Sequence, residues 1–528
     1  MRKMNRFPYR LGIALLAAFL LLNACVRDHN KPVDKNKLTA RDVDSLKFYT
    51  WYINLSDSLN VPLYLWNDQV PASFNWADPR YATADDVMKG IASYPRYMGK
   101  RVDHYSFIDV TGEVSRELEG GIQGDFGLMV AAVQGADDKI LLFVEYTYPG
   151  SPARDAGILR GDQLVSINGK TDMDLRNKTV EDRINKALFG SESVTLKFQA
   201  PGSEQPHTAK LHTDEYHLNP VLFDTVYTVG TKKVGYFVYN TFTSVGSQAN
   251  GQDASEEINN VFASFKAKGV NELIVDLRYN GGGSVATAEY MSDIIVPRSA
   301  VGQEMYHSEY NDAMMDYLSS ADQDIKDYYL APIKFTDTAY GVNLVPYDLG
   351  LNRVFFIVSK ATASASELVI NNLRPYMDVQ IVGDTTYGKP VGFFSIPIGF
   401  VTQNRGYQEV ADMYSINFKS VNSAGQTDYF FGMLPQVQLY DYVDLRWGDP
   451  RDVRLASIFH KIKEGSYLTQ ADFQRQHQQA LAAARKAPGT ALPAGLLRKM
   501  KAHQPVNPHA FDGMVDYRKK TDLRQWHK

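Results

Sequence analysis

The chain is poor in four things, and each narrows its chemistry. It has a single cysteine, Cys25, in 528 residues, so no disulfide can staple it internally. Its one pronounced apolar run, residues 11–22 (LGIALLAAFLLL), is 12 residues long. A membrane-spanning helix needs about 20. Charge is nearly balanced, 56 basic against 60 acidic residues, with no Lys/Arg block longer than the triplet Arg518-Lys519-Lys520. That leaves no electrostatic footprint for nucleic acid. Finally, HExxH, GxGxxG and GKS/GKT patterns are absent, and no His/Cys/Asp/Glu cluster has ligand spacing. No metal or cofactor is expected. What is there is ordinary globular composition, 44% hydrophobic and 22% charged, in a length that suits several domains.

The first 25 residues stand apart. Arg2, Lys3, Arg6 and Arg10 make a basic head before the apolar run, the arrangement of a signal peptide. The run ends in Leu22-Asn23-Ala24-Cys25, which resembles the bacterial lipobox. The resemblance implies cleavage before Cys25 and acylation of its thiol. A plain signal peptide with a stray cysteine is the competing reading. The expectation is an exported lipoprotein of a bacterial cell envelope, on the periplasmic face or the outer membrane. Acyl chains alone would hold it there, each buried methylene contributing roughly 0.8 kcal/mol.

Beyond a short polar tether, Val43, Leu46, Tyr49 and Ile53 recur at helical spacing, and Ala84-Asp85-Asp86-Val87 opens another helix. Residues 26–118 are therefore expected to be mainly helical. Residues 119–205 read as short strands with one or two helices, including a turn at Asn168-Gly169. From 206 to 465 strands and helices alternate. Strands are expected near 234–239, 273–275, 354–358 and 379–382. Ile258, Val261, Phe262 and Phe265 mark a helix face stopped by Gly269. This alternation predicts an α/β layer of βαβ units with parallel strands, α+β for the chain as a whole. Residues 466–528 read as a polar helical tail.

Three segments could carry chemistry. Thr362-Ala363-Ser364-Ala365-Ser366-Glu367 follows a strand and opens a helix. Ser364-x-x-Glu367 fits a capping box, which needs no catalysis. A hydroxyl at a helix N-terminus also lies beside unpaired N–H groups that can hold an oxyanion. Lys389 stands 25 residues later, after the next strand. In a strand–helix–strand unit the helix start and the next strand's end share one sheet edge, so the two can meet. Burial could release a neutral amine to act as base; an exposed loop lysine is the bland alternative. The third segment, Asp276-Leu277-Arg278-Tyr279-Asn280-Gly281-Gly282-Gly283-Ser284, lets a backbone approach closely. It could be a tight turn, a phosphate loop or part of an oxyanion hole.

In this order, D-L-R-x-N-x-G-G, S-A-S-E and G-K resemble the S41 family of C-terminal processing peptidases, over about residues 80–465. Residues 119–205 resemble the PDZ domain that such peptidases carry, through Ser151 to Lys170 and Phe126-Gly127-Leu128, which looks like its carboxylate-binding loop. The resemblance implies a serine endopeptidase with Ser364 as nucleophile and Lys389 as general base. It implies an oxyanion hole from the N–H groups of Ala365 and of Gly282 or Gly283, with Ser366 as the rival nucleophile. The implied partners are polypeptides with exposed C-termini, held as an added strand. Three positions depart from the family pattern: Pro390 follows Lys389 where many members have glycine, Phe393 stands in place of a glutamine, and Pro375 in place of an aspartate. The last two leave room for a second reading, a peptide-binding lipoprotein on an inactive scaffold. The PDZ-like segment could also be an internal lid, and a small ester or amide could be the substrate instead.

Overall fold

The computed structural model describes residues 38–56, 61–134, 139–245, 253–402, 406–486, 502–505 and 514–516. The expected signal peptide and Cys25 lie outside the described residues.

The expected parallel layer is present. Strands Lys232–Tyr239, Glu272–Asp276, Arg353–Val358, Asp378–Gly383 and Val437–Gln438 run parallel in that spatial order. Val221–Val229 closes one edge antiparallel. Their apolar runs are continuous because both faces are covered, the pattern of parallel sheets. Helix Ala254–Ala267 is the first crossover and buries Ile258, Val261, Phe262 and Phe265. Helices Val285–Ile295 and Ala365–Leu373 are buried along their whole length. They lie against one another, with Asn372 Nδ2 donating to Ser292 Oγ at 3.3 Å. A helix buried all round has apolar neighbours on every side. Here these include a second sheet, in the order Gly283–Ser284, Met514–Asp516, Val391–Phe394, Ile416–Asn422, Glu304–Glu309 and Ile333–Lys334.

The region before residue 118 is less helical than its pattern suggests. Among the described residues, helices Ala40–Leu55, Ala84–Ile91 and Glu113–Leu118 are separated by a 3-10 turn at Asn67–Gln69, a small hairpin of Arg96–Tyr97 and Lys100–Arg101, and otherwise largely irregular chain. The long one starts at a capping box in which Thr39 and Asp42 bond reciprocally. Strand Phe107–Asp109 leaves this region altogether and pairs with Gly406–Tyr414. That pairing is non-local, so no local pattern announces it.

The β-rich domain is a sheet of Leu128–Gln134, Ile140–Thr147, Gln163–Ile167, Ser193–Gln199 and His207–His212, with helix Lys178–Phe189. The sheet passes the expected boundary at 205, because His207–His212 pairs with residues 193–198. The strand Leu128–Gln134 alternates: Leu128, Val130 and Ala132 enter this domain's core, while Met129, Ala131 and Val133 face other clusters. Helix Gln470–Lys486 fits the expected tail, but two strands follow it, Ala502–Pro505 and Met514–Asp516, and both join sheets of the body.

Candidate active site

Ser364 sits at the corner between the turn after Arg353–Val358 and the helix Ala365–Leu373. Its backbone has φ 60° and ψ −111°, a conformation that a side chain makes costly by about 1–3 kcal/mol. The turn is over-determined. Ala363 N–H donates to Asn280 O, and Thr362 Oγ1 donates to Leu277 O at 2.7 Å. The expected capping box is present between Ser364 and Glu367, but only its Glu367 half closes as a hydrogen bond. Glu367 accepts the Ser364 N–H at 2.9 Å, while Ser364 Oγ, though aimed at the first turn, is buried without a hydrogen-bond partner among the described residues. Ser366 Oγ, in contrast, is spent on the Asn280 carbonyl at 3.0 Å.

Glu367 does more than cap. Its fully buried carboxylate accepts from Ser364 N–H, Gly388 N–H, Lys389 N–H and Thr386 Oγ1. Ser364 and Lys389 donate to the same oxygen, Oε2, so one carboxylate binds the serine corner to the lysine loop. Burial pushes the Glu367 pKa up, and these hydrogen bonds pull against it. The S-x-x-E spacing marked this glutamate as a cap; its grip on residues 386–389 was invisible in the sequence.

Lys389 is 0% exposed. Its Nζ lies 4.0 Å from the centre of the Phe393 ring and 4.2 Å from that of Tyr105. The residue that replaces the family's glutamine is thus a wall of the lysine's pocket. Burial removes the water an ammonium needs, and ring faces return part of that stabilisation. Tyr105 is held by Asp103, whose carboxylate accepts Tyr105 N–H at 2.9 Å, Ser106 N–H at 3.0 Å and Tyr64 Oη–H at 2.5 Å. Pro375 follows the helix's last turn and is exposed.

The glycine segment borders the same corner. Asn280 shapes it: its Oδ1 accepts Gly282 N–H at 2.9 Å, its Nδ2 donates to Tyr239 O at 3.0 Å, and its carbonyl receives Ala363 and Ser366. Gly282 N–H is therefore engaged. Gly282 O and Ser284 N–H bond to Phe242, so strand alternation turns Gly283 N–H to the opposite side. A Cβ on Gly283 would lie 2.3 Å from Phe242 O, at φ 129°, so only glycine fits. Ala365 N–H is the first of the helix and has no intrahelical acceptor.

Arg278, also fully buried, is tied to Asp276, Asp441 and Asp452. Arg160, from the β-rich domain, reaches the same Asp441 at 3.1 Å and donates to Tyr279 Oη at 2.8 Å. It also lies 4.1 Å from the Trp447 ring centre. These arginines hold Asp441 well below the usual carboxylate range, against the opposing effect of burial. The β-rich domain is thereby fastened to the segment that carries the glycines.

The expected carboxylate loop is less open than a free binding loop. Phe126 and Leu128 are buried in the domain core. Gly127 N–H donates to Asp125 Oδ1 at 2.6 Å, and Gly127 O accepts Tyr148 N–H. Asp125 also accepts the Tyr216 hydroxyl at 2.8 Å.

Comparison with known proteins bears on the fold and on what the chain resembles. Residues 233–424 match the model of peptidase family S41, and residues 143–180 match that of the PDZ domain. The chain is 24% identical over 299 residues to the carboxy-terminal processing protease CtpB of Bacillus subtilis (strain 168), covering 56% of this chain and 53% of that protein. It is 23% identical over 282 residues to a Staphylococcus aureus (strain COL) protein named as a CtpA-like serine protease, covering 53% and 48%. The chain thus spans about half the length of the curated relatives it matches. A crystal structure described as an S41 protease from Bacteroides fragilis NCTC 9343 aligns with TM-score 0.57 and 22% identity, over 80% of this chain and 97% of that one. The fold is that of S41 peptidases, with a PDZ domain before the peptidase domain.

Proposed function

We propose that this chain is a serine endopeptidase that uses Ser364 and Lys389 as a dyad and acts on polypeptides. The observation that carries the reading is the shared carboxylate. Glu367 binds the strained serine corner and the lysine loop together, and Ser364 Oγ is left without a partner while the Ser366 hydroxyl is engaged. Strain and an unsatisfied buried hydroxyl are features that persist where chemistry needs them.

In this reading the neutral Lys389 amine takes the Ser364 proton as Oγ attacks the scissile carbonyl carbon. The carbonyl electron pair moves onto oxygen, where the N–H groups of Ala365 and Gly283 hold it. Gly283 is preferred over Gly282, whose N–H is engaged by Asn280. The tetrahedral intermediate collapses, the C–N bond breaks, and the Lys389 ammonium gives its proton to the leaving nitrogen. Water then attacks the acyl-Ser364 ester, losing its proton to Lys389, and that proton returns to Oγ as the ester breaks.

The PDZ domain would select chains by adding an extended C-terminal segment to the edge of Leu128–Gln134, the terminal carboxylate displacing Asp125 at the turn of Phe126, Gly127 and Leu128. Export and acylation at Cys25 would hold the enzyme at the cell envelope. Phe393 favours a second reading, peptide binding without turnover, because an aromatic wall cannot orient the lysine by a hydrogen bond. The two separate cleanly. The full chain and its Ser364→Ala variant are incubated with a loosely folded protein bearing or lacking an apolar C-terminus, and products are read by mass spectrometry. Cleavage by the parent chain only, favouring the apolar terminus, supports the dyad and terminus selection. Equal cleavage of both proteins removes the PDZ role, and equal behaviour of the two chains removes the dyad.

A further inference from the structure

The C-terminal segment returns to the body at two places. Ala502–Pro505 pairs antiparallel with Leu128–Gln134 and forms the outer edge of the PDZ sheet. Ala502 stands opposite Val133 and Pro505 opposite Ala131, so the segment advances toward the turn at Gly127. This is the edge and the direction by which a β-augmenting domain takes a peptide. Met514–Asp516 then lies between Gly283–Ser284 and Val391–Phe394, parallel to both. Met514 is opposite Gly283, and Val515 is opposite both Ser284 and Phe393.

Both borders of that slot belong to the candidate site. Gly283 turns its N–H toward Met514, the side on which an oxyanion would form. The Phe393 ring is a wall of the Lys389 pocket. Met514 and Val515 are 0% exposed, as are Ser364 and Lys389. A peptidase site in this state is shut to an incoming chain. Within its sheet, the two-residue strand Gly283–Ser284 is joined to Val391–Phe394 only through the tail.

We propose that residues 502–505 and 514–516 are a resident peptide ligand of the chain itself. They fill the PDZ edge and the strand slot beside Ser364 and Lys389, and an extended polypeptide binds by displacing them. Calling that polypeptide a substrate rests on the proposed function; the slot and its occupant rest on the strand pairing alone. A tethered occupant competes at an effective concentration of order millimolar, so chains that offer only one of the two strands are turned away.

The test uses full chains carrying Ser364→Ala, so that nothing is cut, with and without Val515→Asp. A buried carboxylate at position 515 cannot stay between the two strands. Binding of reduced, carboxymethylated α-lactalbumin is measured by fluorescence anisotropy, and amide exchange by mass spectrometry. The expected result is at least about tenfold tighter binding by the Val515→Asp chain, which keeps one cooperative melting transition at a modestly lower temperature because it has lost its own ligand. In the Val515 chain, saturating polypeptide should speed exchange at 502–505 and 514–516. Equal binding by the two chains, absence of binding by either, or loss of the cooperative melting transition in Val515→Asp would make 514–516 a permanent strand and overturn the proposal. Tighter binding combined with no cleavage by the Ser364 form of the Val515→Asp chain would instead leave the occupant in place and remove the peptidase reading.

Discussion

At the scale of single residues, Ser364 concentrates the account. Its positive φ is a cost that a plain capping serine would not need, and one that glycine avoids. Ser364→Gly and Ser364→Ala should both be inactive. Ser364→Gly should be the more stable by about 1 kcal/mol, read from urea midpoints. Equal midpoints would mean that the corner is not strained. Glu367 is the second test. Glu367→Gln keeps the shape but turns an amide N–H₂ toward backbone donors that need an acceptor. It should lower kcat by about 10- to 100-fold and cost about 1–3 kcal/mol of stability. An unchanged kcat would show that the shared carboxylate does not position the pair. The Ser364–Glu367 spacing made this much of the site legible in the sequence. Tyr105 and the role of Phe393 were not legible, because the lysine pocket is closed by a residue from a segment far away in the chain.

At the scale of elements, the glycine segment and the domain seam can be probed separately. Gly283→Ala places a methyl group against Phe242 O and should reduce kcat by about 100-fold or more, as does loss of an oxyanion donor elsewhere. The seam should respond to pH through Glu145, which lies beside Arg160 and Asp441. Burial, reinforced by Asp441, raises the Glu145 pKa from its ordinary 4.5 to about 8, with Arg160 opposing. For a carboxyl group with a raised folded pKa, stability is fully present below the unfolded value and declines as pH rises, the loss being complete above about 8. Glu145→Gln removes that slope. Melting temperatures at pH 5 and 8.5 should differ less in the variant than in the parent chain; the same difference in both would exonerate Glu145. The alternating βαβ elements were legible because each is encoded locally by an apolar run, a cap and a stop. Register and partners of the short strands were not, since Phe107–Asp109 finds Gly406–Tyr414 from the opposite end of the chain.

At the scale of the whole molecule, three bodies meet at one corner. The parallel sheet presents Ser364, the aromatic wall from Tyr105 and Phe393 encloses Lys389, and the PDZ domain is clamped through Arg160 to the glycine segment. Composition and motif order carried the fold class and the resemblance to S41 peptidases. They read the tail as polar and helical, and its sequence gives no hint that two short strands of it join sheets of the body. The account's central claim is that Lys389 activates Ser364. The most direct measurement is the rate and position of labelling by a fluorophosphonate probe, mapped by mass spectrometry. It compares the parent chain, the Val515→Asp chain with its slot open, and a Lys389→Met variant of each that keeps the pocket filled. The account predicts an adduct on Ser364 alone, fastest in the Val515→Asp chain and at least about 100-fold slower once Lys389 is methionine. An adduct on Ser366, or labelling of Ser364 at the same rate with and without Lys389, would contradict it.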